Sequence, residues 1–525
     1  MAADATSIPS AQCLSFSPPC ATLSDRVRAV IDQAIETASR DDEKQHLVVH
    51  MRKGLEQIER FLQEEHTDEQ GAPFPDFQSM ISRQSKRWDQ HIQHARKAKK
   101  EMNVQHRTLQ SSLQLHLTAF DLKVGRPGRP DDIVYQKSEY ARKFMPRGNF
   151  VAEWTTPSGE TLYFPLVRAY RKFTGQEDDA ETKGGKLGDE VLSKYFTKPV
   201  SQTKYVISTT KENGEAAHLV VLKRSDGQFL FVVGSKNTHM VVSSLEDIDQ
   251  AIEAGTKNGG NPYVAAAPIA RALLKMINRM SVENREFLCE FLAQSRMTAS
   301  FEMLSPGYQH VQLLDYLDED TPVFYGLSFP TLDEVEGIEI CVNPVMAYEI
   351  MSSLGLRTVQ YKVVPFTPEV MAQTLDEIRK SYQHEGADAC VIGMEKFKTV
   401  WYVCLRAIRE KAKSFLNNAI PKAQKDGTPP TGSEDVTQQA LTDCVQALQK
   451  RFNAIQSYLD LTQEQADAYF SLGKAFVTYL HDERLVRDCG RDKAAQKRLK
   501  EHVATMFPVA WKEFLEHTHL NDRVL

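Results

Sequence analysis

The feature that most constrains this chain is a four-residue polar break between two apolar runs. Tyr205-Val206-Ile207-Ser208 precedes Lys211-Glu212-Asn213-Gly214, and His218-Leu219-Val220-Val221-Leu222 follows it. Short runs of branched and aromatic residues bounded by Asn and Gly read as strands. Similar runs recur from about residue 135 to about 400. Asn149–Trp154 and Leu162–Val167 flank the turn Pro157-Ser158-Gly159, and Phe229–Val233, Tyr308–Leu314, Val323–Leu327, Val359–Val364 and Ala389–Ile392 come later. Helical periods interrupt them near 264–294 and 367–383. The stretch 175–188, rich in Gly, Asp and Lys, reads as a mobile surface loop.

The flanks have a different period. Residues 1–22, rich in Ser and Pro near their start, are expected to be disordered. Leu47, Met51, Leu55, Ile58 and Leu62 then fall on one helical stripe, with Ser24 as an N-cap upstream. A break at Gly71-Ala72-Pro73 precedes a second helical stretch, about 77–120, so that 23–130 reads as a helical N-terminal region. After Lys398 the pattern is helical to the end, apart from a loop at 420–436.

With 41% hydrophobic and 26% charged residues the composition is that of a globular protein. No run of eighteen apolar residues occurs, so no membrane span is expected. The first twenty residues lack a basic start followed by an apolar block, which argues against a secretory signal. Eight scattered cysteines without a Cys-x-x-Cys pair point to reduced thiols in the cytoplasm or nucleus. The net charge of −6 does not favour a polyanion overall, so a nucleic-acid protein would have to gather basic residues locally. Between Arg83 and Arg107 eight Lys or Arg stand against two acids. A solvated helix face is the plain reading, and a phosphate-contacting arm is the functional one.

Lysine three residues ahead of glycine suits covalent nucleotide transfer. The amine attacks an α-phosphate, and glycine lets backbone come close without a Cβ. A surface turn explains the same pattern, and Lys257-Asn258-Gly259-Gly260 repeats its spacing. The elements that follow distinguish the first copy. Lys236 closes a strand-like run and can reach a nucleotide. Glu302 lies at a strand start and can accept from ribose hydroxyls. Glu385, before Gly386, can hold a divalent cation. Lys396 and Lys398 share one face of a strand by alternation and can grip an α-phosphate. Phe324 and Tyr325 can stack on a purine.

In order and spacing these elements resemble the ATP-dependent RNA ligase family that includes RNA ligase 1 of T-even phages and the ligase domain of fungal tRNA ligases. The resemblance spans roughly residues 140–411. It implies an α+β nucleotidyltransferase domain of antiparallel sheets with inserted helices at 135–404, between the helical N-terminal region and an all-α C-terminal domain at 405–525. Arg147 in Pro146-Arg147-Gly148-Asn149-Phe150 is similar to the family arginine that contacts ATP phosphates. Lys172 in Arg171-Lys172-Phe173-Thr174-Gly175 is similar to a family Lys-Phe-Phe-Asn segment, although Thr-Gly stands in place of Phe-Asn. Lys396 to Val403 resembles the phage form, and Arg406, Arg409, Glu410 and Lys411 resemble a helix start of the fungal form. The family's Lys-x-Asp-Gly is Lys-Glu-Asn-Gly here. A second Glu-Gly at Glu336-Gly337 competes for the metal role, but Glu385 lies eleven residues before Lys396 and Glu336 sixty, and the family spacing is compact.

The resemblance implies that Lys211 takes AMP from ATP with Mg²⁺ or Mn²⁺, passes it to a 5′-phosphate RNA end, and lets a 3′-hydroxyl displace it. Surrounding cations would lower the Lys211 pKa. Neither a Gly-x-x-x-x-Gly-Lys-Ser/Thr loop nor paired His-x-Ser/Thr motifs occur, so separate end-healing enzymes are expected. DNA ligases and capping enzymes share the lysine chemistry but usually carry a barrel after the last lysine motif, where this chain reads helical. A catalytically silent RNA-binding scaffold is the alternative from another class.

Overall fold

The computed structural model describes residues 16–109, 113, 115, 117–125, 131–173, 193–257, 260–332, 341–382, 386–390, 393–420 and 434–524. Glu385, Glu336 and the stretch 175–188 lie outside the described residues. Three antiparallel sheets organise the middle of the chain. The first has the order β1 (Met102–Thr108), β2 (Leu117–Val124), β3 (Asn149–Thr155), β4 (Thr161–Arg168). The second has the order β10 (Thr321–Ser328), β9 (Thr298–Leu304), β6 (Glu215–Lys223), β7 (Phe229–Ser235), β8 (His239–Val242). The third has the order β11 (Tyr361–Pro365), β5 (Tyr205–Lys211), β12 (Gly386–Cys390), β13 (Met394–Lys398). With helices between these strands, the fold is α+β.

Helices cover the sheets. Leu47, Met51, Leu55, Ile58 and Leu62 are all buried along Val48–Glu65 and the turn before it. This helix crosses helix Pro344–Ser353 closely: a Cβ on Gly54 would stand 2.6 Å from the Met346 Cβ. Ser24 caps helix Asp25–Arg40 by accepting from the Val27 N–H. Both helices join the second sheet in one apolar cluster with helices Ala266–Arg279 and Val282–Ser295. The N-terminal helices therefore share a core with the strand-rich region. Helix Phe77–Lys97 places Phe77, Met80 and Ile81 between the first sheet and the outer face of the second. The helices from Val400 onward form a cluster of their own.

The structure departs from the sequence reading in three places. Phe16 is buried on Phe77, with ring centroids 5.0 Å apart, and Ser17 donates its N–H to the Lys223 carbonyl, so 16–22 is ordered by tertiary contact. The expected helix over 77–120 ends at Lys97, and β1 and β2 follow. Met102, Leu117, Ala119 and Phe120 find partners on neighbouring strands and the covering helix, and that burial overrides local propensity. Tyr308–Leu314 forms turns and isolated bridges rather than a strand, tied by Gln309 to Thr505 and Met506 of the C-terminal helices.

Candidate active site

The Lys211–Gly214 break turns out to be a crossover between sheets. It carries the chain from β5 in the third sheet to β6 in the second. Gly214 is required by the passing strand β9, since a Cβ there would lie 2.2 Å from the Met303 carbonyl oxygen. Its N–H donates to Glu302 Oε1 at 3.0 Å. One oxygen of the Glu302 carboxylate therefore already holds the crossover in shape.

Lys211 pairs with Gly386 of β12, and Gly386 pairs with Lys398 of β13. One step along, Thr209 pairs with Asp388 and Asp388 with Lys396. Paired residues share a sheet face, so Lys211, Lys396 and Lys398 lie on the same one. Lys211 Nζ stands 3.4 Å from the Glu212 carbonyl oxygen. Lys211 and Lys396 line a cavity of about 270 Å³ together with Arg147, Lys172, Lys236 and Glu302. Arg171 and Glu212 complete its charged lining, so six cations face two carboxylates.

A ladder of ion pairs fixes three of those cations. Lys236 Nζ donates to Asp131 Oδ2 at 2.9 Å, and Arg147 Nη2 reaches Asp131 at 2.9 Å and Asp132 at 3.1 Å. Lys172 Nζ, almost wholly buried, reaches Asp132 at 3.0 Å. Burial pushes the Asp131 carboxyl pKa up, but Arg147, Lys236 and Lys172 together outweigh it and hold it below the usual carboxylate value. Burial and the neighbouring Arg147 lower the Lys236 pKa, against the pull of Asp131. Asp131 and Asp132 were missed in the sequence. Two acids opening a helix look like ordinary dipole partners, and nothing local links them to Lys236, more than a hundred residues away.

Behind the ladder lies a buried polar chain. Arg107 Nε donates to Asp121 at 2.5 Å, Asp121 meets His239 Nδ1 at 2.7 Å, and His239 Nε2 meets His218 Nδ1 at 3.1 Å. The His218 ring leaves no space for a Cβ on Gly148, whose φ of +116° also needs glycine, and so it packs directly behind Arg147. Burial, then the His239 neighbour, keeps the His218 pKa well below its ordinary value.

Besides Gly214, which packs on β9, two expected site residues sit outside the cavity lining. Phe324 is fully buried, edge-on to Phe301 at 5.5 Å and to Tyr348 at 6.2 Å, and does not line the cavity. The reason is a β-bulge between Phe324 and Gly326, which re-aims the chain and brings Tyr325 to the cavity instead. Tyr325 stacks on Tyr170 with centroids 5.7 Å apart, and Gly326 admits the Tyr170 phenol, which a Cβ would overlap. Lys398 is buried and outside the cavity lining, and its carbonyl accepts from Arg379 at 2.9 Å. Tyr348 and Phe173 also line the cavity. Downstream, Arg409 ties its helix to the Ala504 carbonyl at 2.8 Å and thus to the C-terminal helices.

A family described as "Domain of unknown function (DUF7920)" matches residues 192–418. No curated protein matches the chain. Among solved structures, the chain is similar to one titled "Archaeal ATP-dependent RNA ligase - form 1". The identity is 12% and the TM-score 0.38, over 76% of this chain and 83% of that one.

Proposed function

We propose that the protein is an ATP-dependent RNA ligase that works through a lysyl-AMP intermediate. The observation that carries this reading is convergence: Lys211, Lys236, Lys396, Arg147, Lys172 and Glu302, spread over 250 residues of sequence, line one cavity. The neutral Lys211 amine attacks the α-phosphorus of ATP. A nitrogen–phosphorus bond forms, the bond to the β-phosphate oxygen breaks, and pyrophosphate leaves with the electron pair. Lys396 and Lys236 stabilise the charge that builds on the phosphoryl oxygens, and Arg147 and Lys172 hold the leaving phosphates. The Glu302 carboxylate accepts from a ribose hydroxyl, and Tyr325 stacks on the adenine. AMP then passes to the 5′-phosphate of an RNA, and a 3′-hydroxyl displaces it.

Mg²⁺ or Mn²⁺ in such chemistry is held largely by substrate phosphates and one or two carboxylates, and would neutralise charge during each displacement. Glu212 and Glu302 are the carboxylates that line the cavity, and Glu385 is a further candidate by position. Among the described residues no group of three acidic, histidine or cysteine side chains forms a ready-made cage. This donor set suits a cation shared with the substrate.

The regular elements described after Val400 are all helical, which disfavours the DNA ligase and capping readings with their trailing barrel. Among the described residues no helix is long and apolar enough to cross a membrane. Other proteins would supply RNA with 5′-phosphate and 3′-hydroxyl ends. The test is incubation with each α-labelled NTP and Mg²⁺, followed by transfer to 5′-phosphorylated RNA or DNA. ATP should label the protein, Lys211→Ala should abolish labelling while circular dichroism is unchanged, and RNA should take up the AMP. Labelling that survives in Lys211→Ala would reject the assignment.

A further inference from the structure

The basic stretch between Arg83 and Arg107 is only partly absorbed by the fold. Arg83 donates to the carbonyls of Glu64 and Thr67, Arg96 lies over the Phe120 ring at 5.0 Å, and Arg107 is buried on Asp121. Those three hold structure. Lys97, Lys99 and Lys100 remain exposed at the end of helix Phe77–Lys97. This is local positive charge in a chain of net charge −6.

At that end the charges meet aromatic rings. Exposed His94 stacks on the partly exposed Tyr140, with centroids 3.6 Å and planes 22° apart, and Phe144 leans on Tyr140 at 5.0 Å. Arg142, in the same short helix, lies over the Tyr195 ring at 6.0 Å. Its neighbour Phe196 packs into the space left by Gly393, where a Cβ would stand 1.8 Å from the ring. Met394, the next residue, lines the Lys211 cavity. Rings linked through Arg142 and Gly393 thus lead from the helix end towards the cavity, with exposed Lys143, Lys194 and Lys198 along the way. Glu139, the acid beside Tyr140, is paired with Lys143 at 2.9 Å.

Cations beside part-exposed rings, in a line, match a flexible polyanion with exposed base faces. A duplex offers the charge but hides those faces. We propose that the course from His94 past Tyr140 and Tyr195 binds single-stranded RNA and leads its end to the Lys211 cavity. The proposal rests on the ligase reading for the purpose of the track, and its test is separable from that reading.

Full-length protein is titrated into a short, fluorescently labelled, 5′-phosphorylated single-stranded RNA at several salt concentrations, with self-labelling by ATP measured in parallel. The triple variant Lys97→Gln, Lys99→Gln, Lys143→Gln should bind less tightly and lower the slope of log affinity against log salt by about 2, at about 0.7 for each phosphate left unneutralised. Tyr195→Ala should weaken binding by about fivefold or more, as expected for loss of one stacked base, and Tyr195→Phe should restore it. Self-labelling should not change, since none of these side chains lines the cavity. The track is wrong if both variants bind like the parent protein, if the parent binds no RNA, or if duplex RNA competes as well as single strand. If the parent binds through the track but is never labelled by ATP, the ligase reading fails and the track stands.

Discussion

Exchanging two neighbours on β10 separates packing from substrate contact. Phe324 is fully buried against Phe301 and Tyr348 inside the largest apolar cluster. Phe324→Ala deletes a ring that no rearrangement of the surface can replace, and such truncations cost about 3–5 kcal/mol. At about 2 °C per kcal/mol for a large domain, Tm should fall by about 6–10 °C. The ATP concentration that half-saturates self-labelling should stay within about twofold in the fraction that remains folded. Tyr325 is partly buried and stacked on Tyr170 at the cavity wall. Tyr325→Leu should leave Tm nearly unchanged and raise that ATP concentration about 3- to 10-fold, the worth of one aromatic stack. Thermal melts and titrations with α-labelled ATP read both outcomes on the same samples. The reverse pattern, with Phe324→Ala altering ATP dependence and Tyr325→Leu altering only Tm, would refute the cavity as the adenine site.

Two further perturbations probe the crossover and the buried histidines. Gly214→Ala puts a methyl against the Met303 carbonyl, so β9 must shift and take Glu302 with it. A loss of about 1–3 kcal/mol in stability is expected, with self-labelling slowed more than tenfold, and unchanged melts together with unchanged labelling would contradict the close approach. Burial, and then the cation Arg296 or Arg168, lowers the pKa of His66 to about 4 and of His91 to about 3, and His218 also stays neutral. Their unfolded value is about 6.5, so below that pH the unfolded chain takes up protons that the fold refuses. Stability should therefore fall as pH drops from about 6.5 towards 4, by about 1.4 kcal/mol per pH unit for each histidine. Denaturant melts at stepped pH read this slope, His91→Gln should reduce it, and a flat profile between neutral pH and pH 5 would rule it out.

By itself the sequence determined the classes of element and the order of the chemistry. Strand-like runs, the helical stripe from Leu47 to Leu62 and the helical C-terminal part after Lys398 follow from side-chain period, because burial of one face is written in residue spacing. The same spacing picked out Lys211, Lys236, Glu302 and Lys396, four of the cavity's charged groups. Only the tertiary structure decided what each group faces. A bulge is one unpaired residue with no compositional mark, yet it sends Phe324 into the core and Tyr325 to the cavity. Asp131 and Asp132 became partners of Lys236, Arg147 and Lys172 because strands distant in the chain end side by side. β1 and β2 exist because a sheet and a covering helix bury them, which local propensity does not encode. Gly214, read from sequence as room for a phosphate, is room for β9. Which atom occupies the space beside a missing Cβ is a fact about packing between sheets, and spacing along one chain does not contain it.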